Sequence, residues 1–326
     1  MLPVASRYNA CKVEKYNERQ SKISGGQEFT YEGVHGPQYW TKDYGTCSGK
    51  HQSPINIEEH EVEDVSFPSI KFVGLQNPQV VTLTNNGHTV AVTFDDPEAI
   101  KIYGGPLDSY PYIFKQMHFH WGSDDNEGSE DRINNIAYAM ELHAVFYKKS
   151  YGSMETAMHY ADGLAVLAYF VEVDNTKFNP VYEPLLAAFP IIEEVNTNVT
   201  LNGAINSEKL LLPGEIIVSD YYTYHGSLTT PPCSEVVIWI DFKDPFRMSH
   251  EQIEAFRSIK TFDNQKLTHN FRPVQKLEDR KIFRNVIVSD LYNSGNVKTI
   301  SSSLSITFAA VLLTIPPELW LAFFGL

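Results

Sequence analysis

Short runs rich in Val, Ile, Phe and Tyr recur through the middle of the chain, at 70–73, 80–84, 89–94, 112–121, 139–147, 164–173 and 236–242. Gly, Pro and Asn separate them. β-Branched and aromatic side chains suit a pleated, half-buried surface and the intervening residues suit turns, so the pattern predicts many strands. Apolar residues at helical spacing occur at 181–189 and 250–259, the second preceded by Ser249, a side chain suited to an N-cap. Residues 31–40 are aromatic and turn-forming, more loop than helix. A β-dominated α+β fold is expected, with one large central twisted, mostly antiparallel sheet and a few surface helices.

With 326 residues, 43% of them hydrophobic, the chain can bury a sizeable core. No composition break interrupts 25–285, which reads as one domain. Residues 1–24 are a polar, unassigned segment, 286–305 a linker and 306–326 an apolar tail. The net charge of −14 comes without any basic cluster that could track a phosphate backbone, so nucleic acid is excluded as a partner. The acidic run at 58–64 reads as a solvated face.

Candidate chemistry begins at Gln116-Met117-His118-Phe119-His120-Trp121-Gly122. Side chains alternate along a strand, so His118 and His120 face the same way, about 7 Å of backbone apart. If 139–146 is the neighbouring strand, His143 brings a third imidazole to the same point and leaves a fourth position for water, the pattern of a catalytic zinc. A His-x-His pair alone is ordinarily two half-buried histidines. Here Gln116 precedes His118 by two residues and Glu141 precedes His143 by two, and each is a same-face partner for the second ring nitrogen.

These motifs, followed by Gly128-Ser129-Glu130, Glu141-Leu142-His143 and Ser227-Leu228-Thr229-Thr230-Pro231-Pro232, resemble the α-class carbonic anhydrases in order and spacing, over about 31–284. The resemblance, closest to secreted or glycosylphosphatidylinositol-anchored animal forms, implies zinc-dependent hydration of carbon dioxide to bicarbonate. It gives Thr229 the task of orienting zinc-bound hydroxide, with Glu130 as its partner. Val145, Val166, Leu228, Thr230 and Trp239 take the substrate pocket, His88 the proton shuttle, and Tyr31 and Asn86 the ordering of waters. The carbonyl of Asn270 would support His120, Arg272 would be structural, and Tyr31 and Trp40 would join an N-terminal aromatic cluster. Sulfonamides are expected inhibitors, and attack on activated esters a side reaction. One departure is Asp131, where many relatives carry histidine within a buried hydrogen-bond network. A catalytically silent binding or adhesion domain is the alternative, disfavoured because His118, His120, His143, Glu130 and Thr229 are all present.

Cys47 and Cys233 fall where secreted and membrane-anchored members carry a disulfide, which implies an oxidising compartment; two free thiols in the cytosol are the other reading. Cys11 is left over. Asn198-Val199-Thr200 is the single Asn-x-Ser/Thr acceptor in the chain, a glycosylation candidate. Residues 1–24 lack the apolar run of a secretory leader, which conflicts with a disulfide. The expectation is that this start is not native or that the segment replaces the leader. In the tail, Pro316-Pro317-Glu318 interrupts the apolar run, and small residues with a polar spacer precede it. This reads as a lipid-anchor signal with attachment at Asn293 or Ser294; a retained hydrophobic tail and a gene-model artefact are the alternatives. The protein is thus expected at the extracellular face of the plasma membrane, or secreted.

Overall fold

The structure is a computed structural model, and it describes residues 29–176, 178–214 and 216–286. The segment 1–24 with Cys11, the attachment candidates Asn293 and Ser294, and the tail 306–326 lie outside the described residues.

In chain order the first strands are β1 (Asn56–Ile57), β2 (Glu63–Val65), β3 (Lys71–Val73), β4 (Gln79–Asn85), β5 (Val90–Phe94), β6 (Lys101–Tyr103) and β7 (Tyr112–Trp121). The rest are β8 (Arg132–Ile133), β9 (Met140–Lys148), β10 (Leu164–Val173), β11 (Asn198–Ile205), β12 (Tyr221–Gly226), β13 (Val237–Met248) and β14 (Phe283–Asn285). β1 and β8 form a small parallel pair. The others make a 12-stranded sheet in the order β11-β4-β5-β7-β9-β10-β13-β12-β14-β2, with β6 and β3 added beside β7. Pairing in this sheet is antiparallel except at β10–β13 and β14–β2.

Every run expected to be a strand is one, within a residue or two at most ends. β13 is the exception, continuing to Met248 past the expected end at 242. The polar Lys243-Asp244-Pro245 breaks the apolar pattern there, yet pairing to β10 resumes beyond a bulge at Phe246. The helix expected over 181–189 is a single turn, Glu183–Leu186, and a 3-10 turn, Phe189–Ile191, each with a proline in its first turn. Pro190 has no N–H to continue the first of these. The helix expected over 250–259 runs from His250 to Phe256, opened by a capping box between Ser249 and Gln252.

The central strands are covered on both faces, and β9 is buried along its whole length. On β7, Phe114, Met117, Phe119 and Trp121 join the larger core; on β9, Leu142, Ala144 and Phe146 do. Ile113, Val145 and Tyr147 belong to the opposite face, packed with Val166 and Trp239. Alternation therefore sends His118, His120 and His143 to that second face. A bulge between Phe114 and Gln116 keeps the phase correct along β7. Cys47 and Cys233 are joined in a disulfide across a sequence separation of 186, beside the buried rings of Tyr31 and Trp40.

Candidate metal centre

His118 and His143 lie directly opposite one another across the β7–β9 ladder, with His120 one same-face step along. A directly opposed pair has its side chains about 5 Å apart, close enough to share one ion. One nitrogen from each of the three lies within 4.8 Å of the others. The outward nitrogens are engaged. His118 Nδ1 meets Gln116 Oε1 at 3.1 Å, His120 Nδ1 donates to the Asn270 carbonyl at 2.8 Å, and His143 Nε2 meets Glu141 Oε1 at 2.6 Å. A carbonyl can only accept, so His120 carries its proton on Nδ1 and its Nε2 is bare. Glu141 Oε2 already accepts the backbone N–H groups of Glu130 and Asp131, which leaves Oε1 to receive the His143 proton.

The inward nitrogens of His120 and His143 are then two lone pairs 3.1 Å apart. Glu130 Oε2, fully buried and without a hydrogen-bond partner among the described residues, faces the same point, 3.4 Å from His120 Nε2 and 3.9 Å from His143 Nδ1. Electron-rich atoms converge in this way around a cation. Burial and the neighbouring His120 hold the His118 imidazole well below its ordinary pKa of 6.5, and burial with His120 and His118 does the same to His143, so both offer neutral nitrogen. Burial, Asp131 and Glu130 push Glu141 up, and a bound cation would offset that rise. The donor set, three imidazoles with engaged second nitrogens, fits zinc.

Glu130 is held from the C-terminal side: its Oε1 accepts the Arg272 backbone N–H at 2.8 Å. Burial raises its pKa, opposed by His120, by the Thr229 hydroxyl and by Arg272. Thr229 is buried, on the loop that follows β12, and the adjoining Thr230 carbonyl accepts the Cys233 N–H at 2.9 Å. Trp239 stands edge-on to His143 with ring centres 4.8 Å apart, and its indole N–H donates to the Ser227 carbonyl at 3.1 Å. Val145 and Val166 are paired neighbours on β9 and β10, and Leu228 packs on the same cluster. The residues expected to form an apolar wall are therefore contiguous with the imidazoles.

Asn86 Oδ1 accepts the backbone N–H groups of His88 and Thr89, shaping the turn that presents His88. Gly87 in that turn has φ +85°, and a Cβ there would come within 2.0 Å of the Phe262 ring. His88 itself is stacked on Phe29, ring centres 4.0 Å apart, with Phe262 at 5.6 Å on a tilted approach. Burial pulls its pKa from 6.5 down to about 4. Tyr31 is buried between Phe29 and Trp40, and burial together with Glu130 pushes its phenol well up. Phe29 and Phe262 had gone unremarked in the sequence; Phe29 lies two residues before the aromatic stretch that opens at Tyr31 and extends it.

Asp131 is fully buried and accepts the Ile55 N–H at 2.7 Å and the Tyr224 hydroxyl at 3.1 Å. Burial raises it to about 7. Asp241, also fully buried, has neither oxygen hydrogen-bonded among the described residues, and burial with Asp131 pushes it well up. Nothing in its sequence context, Trp-Ile-Asp-Phe, marks it. The Asn270 side chain had also gone unremarked: Oδ1 accepts the Trp121 N–H, while Nδ2 donates to the carbonyls of His88 and Phe119, tying β7 to the His88 turn.

A family model described as eukaryotic-type carbonic anhydrase matches residues 35–286. The chain is similar to carbonic anhydrase 3 of Bos taurus, 35% identical over 261 residues that cover 78% of this chain and 96% of that protein. It is similar also to carbonic anhydrase 6 of Mus musculus, 36% identical over 282 residues covering 83% and 86%. For carbonic anhydrase 4 of Oryctolagus cuniculus the figures are 36% over 260 residues, covering 78% and 82%. With that match across the sheet and its histidine centre, the chain belongs to the eukaryotic-type carbonic anhydrase family.

Proposed function

We propose that the chain reversibly hydrates carbon dioxide to bicarbonate and a proton, with zinc held by His118, His120 and His143. The carrying observation is the convergence of three imidazoles, their second nitrogens engaged by Gln116, Asn270 and Glu141, on a point that Glu130 Oε2 also faces. Zinc there would act as a Lewis acid, making water acidic enough to react at neutral pH. Thr229 gives the attacking oxygen one orientation, accepting its proton in a hydrogen bond while its own hydroxyl donates to Glu130. Val145, Val166, Leu228 and Trp239 offer the apolar substrate an apolar wall, with Thr230 at its margin. His88 takes the released proton through waters ordered by Tyr31 and Asn86. Because Thr229 favours a group that can donate one proton to it, sulfonamide anions are expected inhibitors.

The Cys47–Cys233 bridge supports an oxidising setting, and with it a secreted or surface-anchored domain spanning about 25–285. No described helix is long and apolar enough to cross a membrane. Stopped-flow carbon dioxide hydration on metal-analysed protein, with and without a sulfonamide, tests the proposal. Sulfonamide-sensitive turnover at one zinc per chain is the expected result; fully loaded protein without turnover would leave a metal-stabilised binding domain.

A further inference from the structure

Among the described residues β11 ends one side of the sheet and pairs only with β4. A strand in that position presents a row of unpaired N–H and C=O groups that can template another strand, and proteins ordinarily charge, break or cover it. The other open edges are charged. β2 carries Glu63 and Asp64, bridged to Lys281 and Arg284, and β3 opens with exposed Lys71. β11 reads Asn-Val-Thr-Leu-Asn-Gly-Ala-Ile, without a charge or a proline. An irregularity between Thr200 and Ala204, with Gly203 at φ +85°, disrupts its second half. Its first half, Asn198 to Thr200, stays in regular register with Thr84 to Thr82.

That unprotected half is the Asn-Val-Thr triplet. Alternation turns Val199 toward the core and Asn198 and Thr200 to solvent, and both are exposed. Thr200 Oγ1 meets Thr82 Oγ1 at 2.9 Å. The Asn198 carboxamide makes no hydrogen bond among the described residues, so a substituent on its nitrogen displaces nothing. Resting on the secreted or surface-anchored setting proposed above, the oxidising lumen that would form the Cys47–Cys233 bridge also supplies the glycosyl donor.

We propose that Asn198 carries an N-linked glycan and that this glycan covers the free edge of β11, keeping the folded chain monomeric. In the transfer, Asn198 Nδ2 bonds to the anomeric carbon of a lipid diphosphate-linked oligosaccharide. The bond from that carbon to the diphosphate oxygen breaks, the lipid diphosphate leaves, and one amide proton is released. No redox partner is needed. The proposal is independent of the hydration reaction, because Asn198 takes no part in the metal centre.

The test uses the full chain produced in a eukaryotic secretory host. Peptide N-glycosidase should lower its apparent mass, Asn198→Gln and Thr200→Ala should lack that shift, and Thr200→Ser should keep it. In size-exclusion with light scattering the glycosylated protein should be monomeric. Asn198→Gln should self-associate as concentration rises with turnover per chain unchanged, and Asn198→Lys, which places a charge on the edge, should return it to monomer. A disulfide-bonded chain without sugar, or a chain recovered with both thiols free, would overturn the modification. An Asn198→Gln protein that stays monomeric at every concentration would overturn the covering role.

Discussion

His88 shows how far a residue's role depends on its surroundings. Stacked on Phe29 and held at about 4, it is neutral at pH 7, ready to take a proton but able to hold it only briefly before buffer removes it. Removing the stack with Phe29→Ala should let its pKa rise toward 6.5 and speed turnover in weak buffer near neutrality. His88→Ala should slow the same reaction, with added imidazole restoring it. If neither variant alters the buffer dependence, proton transfer runs by another route. The lowered pKa also sets a stability window. Between about pH 6.5 and 4 the unfolded chain binds a proton at this residue that the folded chain does not, so stability should decline as pH falls through that range. Phe29→Ala should flatten that slope in denaturant titrations. Glu141→Ala, which frees the second nitrogen of His143, should weaken zinc binding by about 10–100-fold in competition dialysis. His-x-His spacing, Gln116 and Glu141 were legible because one strand places them all. The aromatic clamp on His88 was not, since Phe262 arrives from 174 positions later (262 against 88) and no local pattern announces it.

Elements were legible wherever local pattern and tertiary need agreed. β7 and β10 match their expected limits because both are rich in β-branched and aromatic residues and are largely buried on both faces. β12 was missed despite its Tyr-Tyr-Thr-Tyr core, and β11 because five of its eight residues face water and Gly203 breaks its alternation. The order of strands was beyond reach, as parallel pairing of β10 with β13 is chosen by packing over the whole core. The helix from His250 to Phe256 depends on its cap. Ser249 Oγ accepts from Gln252 N while Gln252 Oε1 accepts the Ser249 N–H, and Gln252 also meets Asn179. Ser249→Ala should therefore cost about 1 kcal/mol in chemical denaturation. No measurable loss would show that packing of Ile253 and Phe256 alone holds the helix.

Across the whole molecule, the bridge between Cys47 and Cys233 fastens the N-terminal aromatic cluster to the loop that carries Thr229. With a closed loop this long, replacing both cysteines by serine should lower stability by about 5 kcal/mol in the chain-entropy model, measured by denaturant unfolding. Acidification should release the metal, because each imidazole must be neutral to bind it, and zinc loss on lowering pH should track the fall in melting temperature. The pairing of these cysteines was expected from the resemblance, never from spacing. The centre also joins distant parts of the chain: His120 leans on Asn270, 150 residues further on, and Glu130 on Arg272, 142 further on. Ribosomes add about 5–20 residues per second, so roughly 7–30 s separate the emergence of His120 and Glu130 from that of their partners Asn270 and Arg272. During that interval His118 and His143 already have Gln116 and Glu141 beside them in sequence, while His120 lacks the carbonyl that fixes its proton. Firm capture of a metal ion would then wait until Asn270 and Arg272 have joined the sheet and its centre.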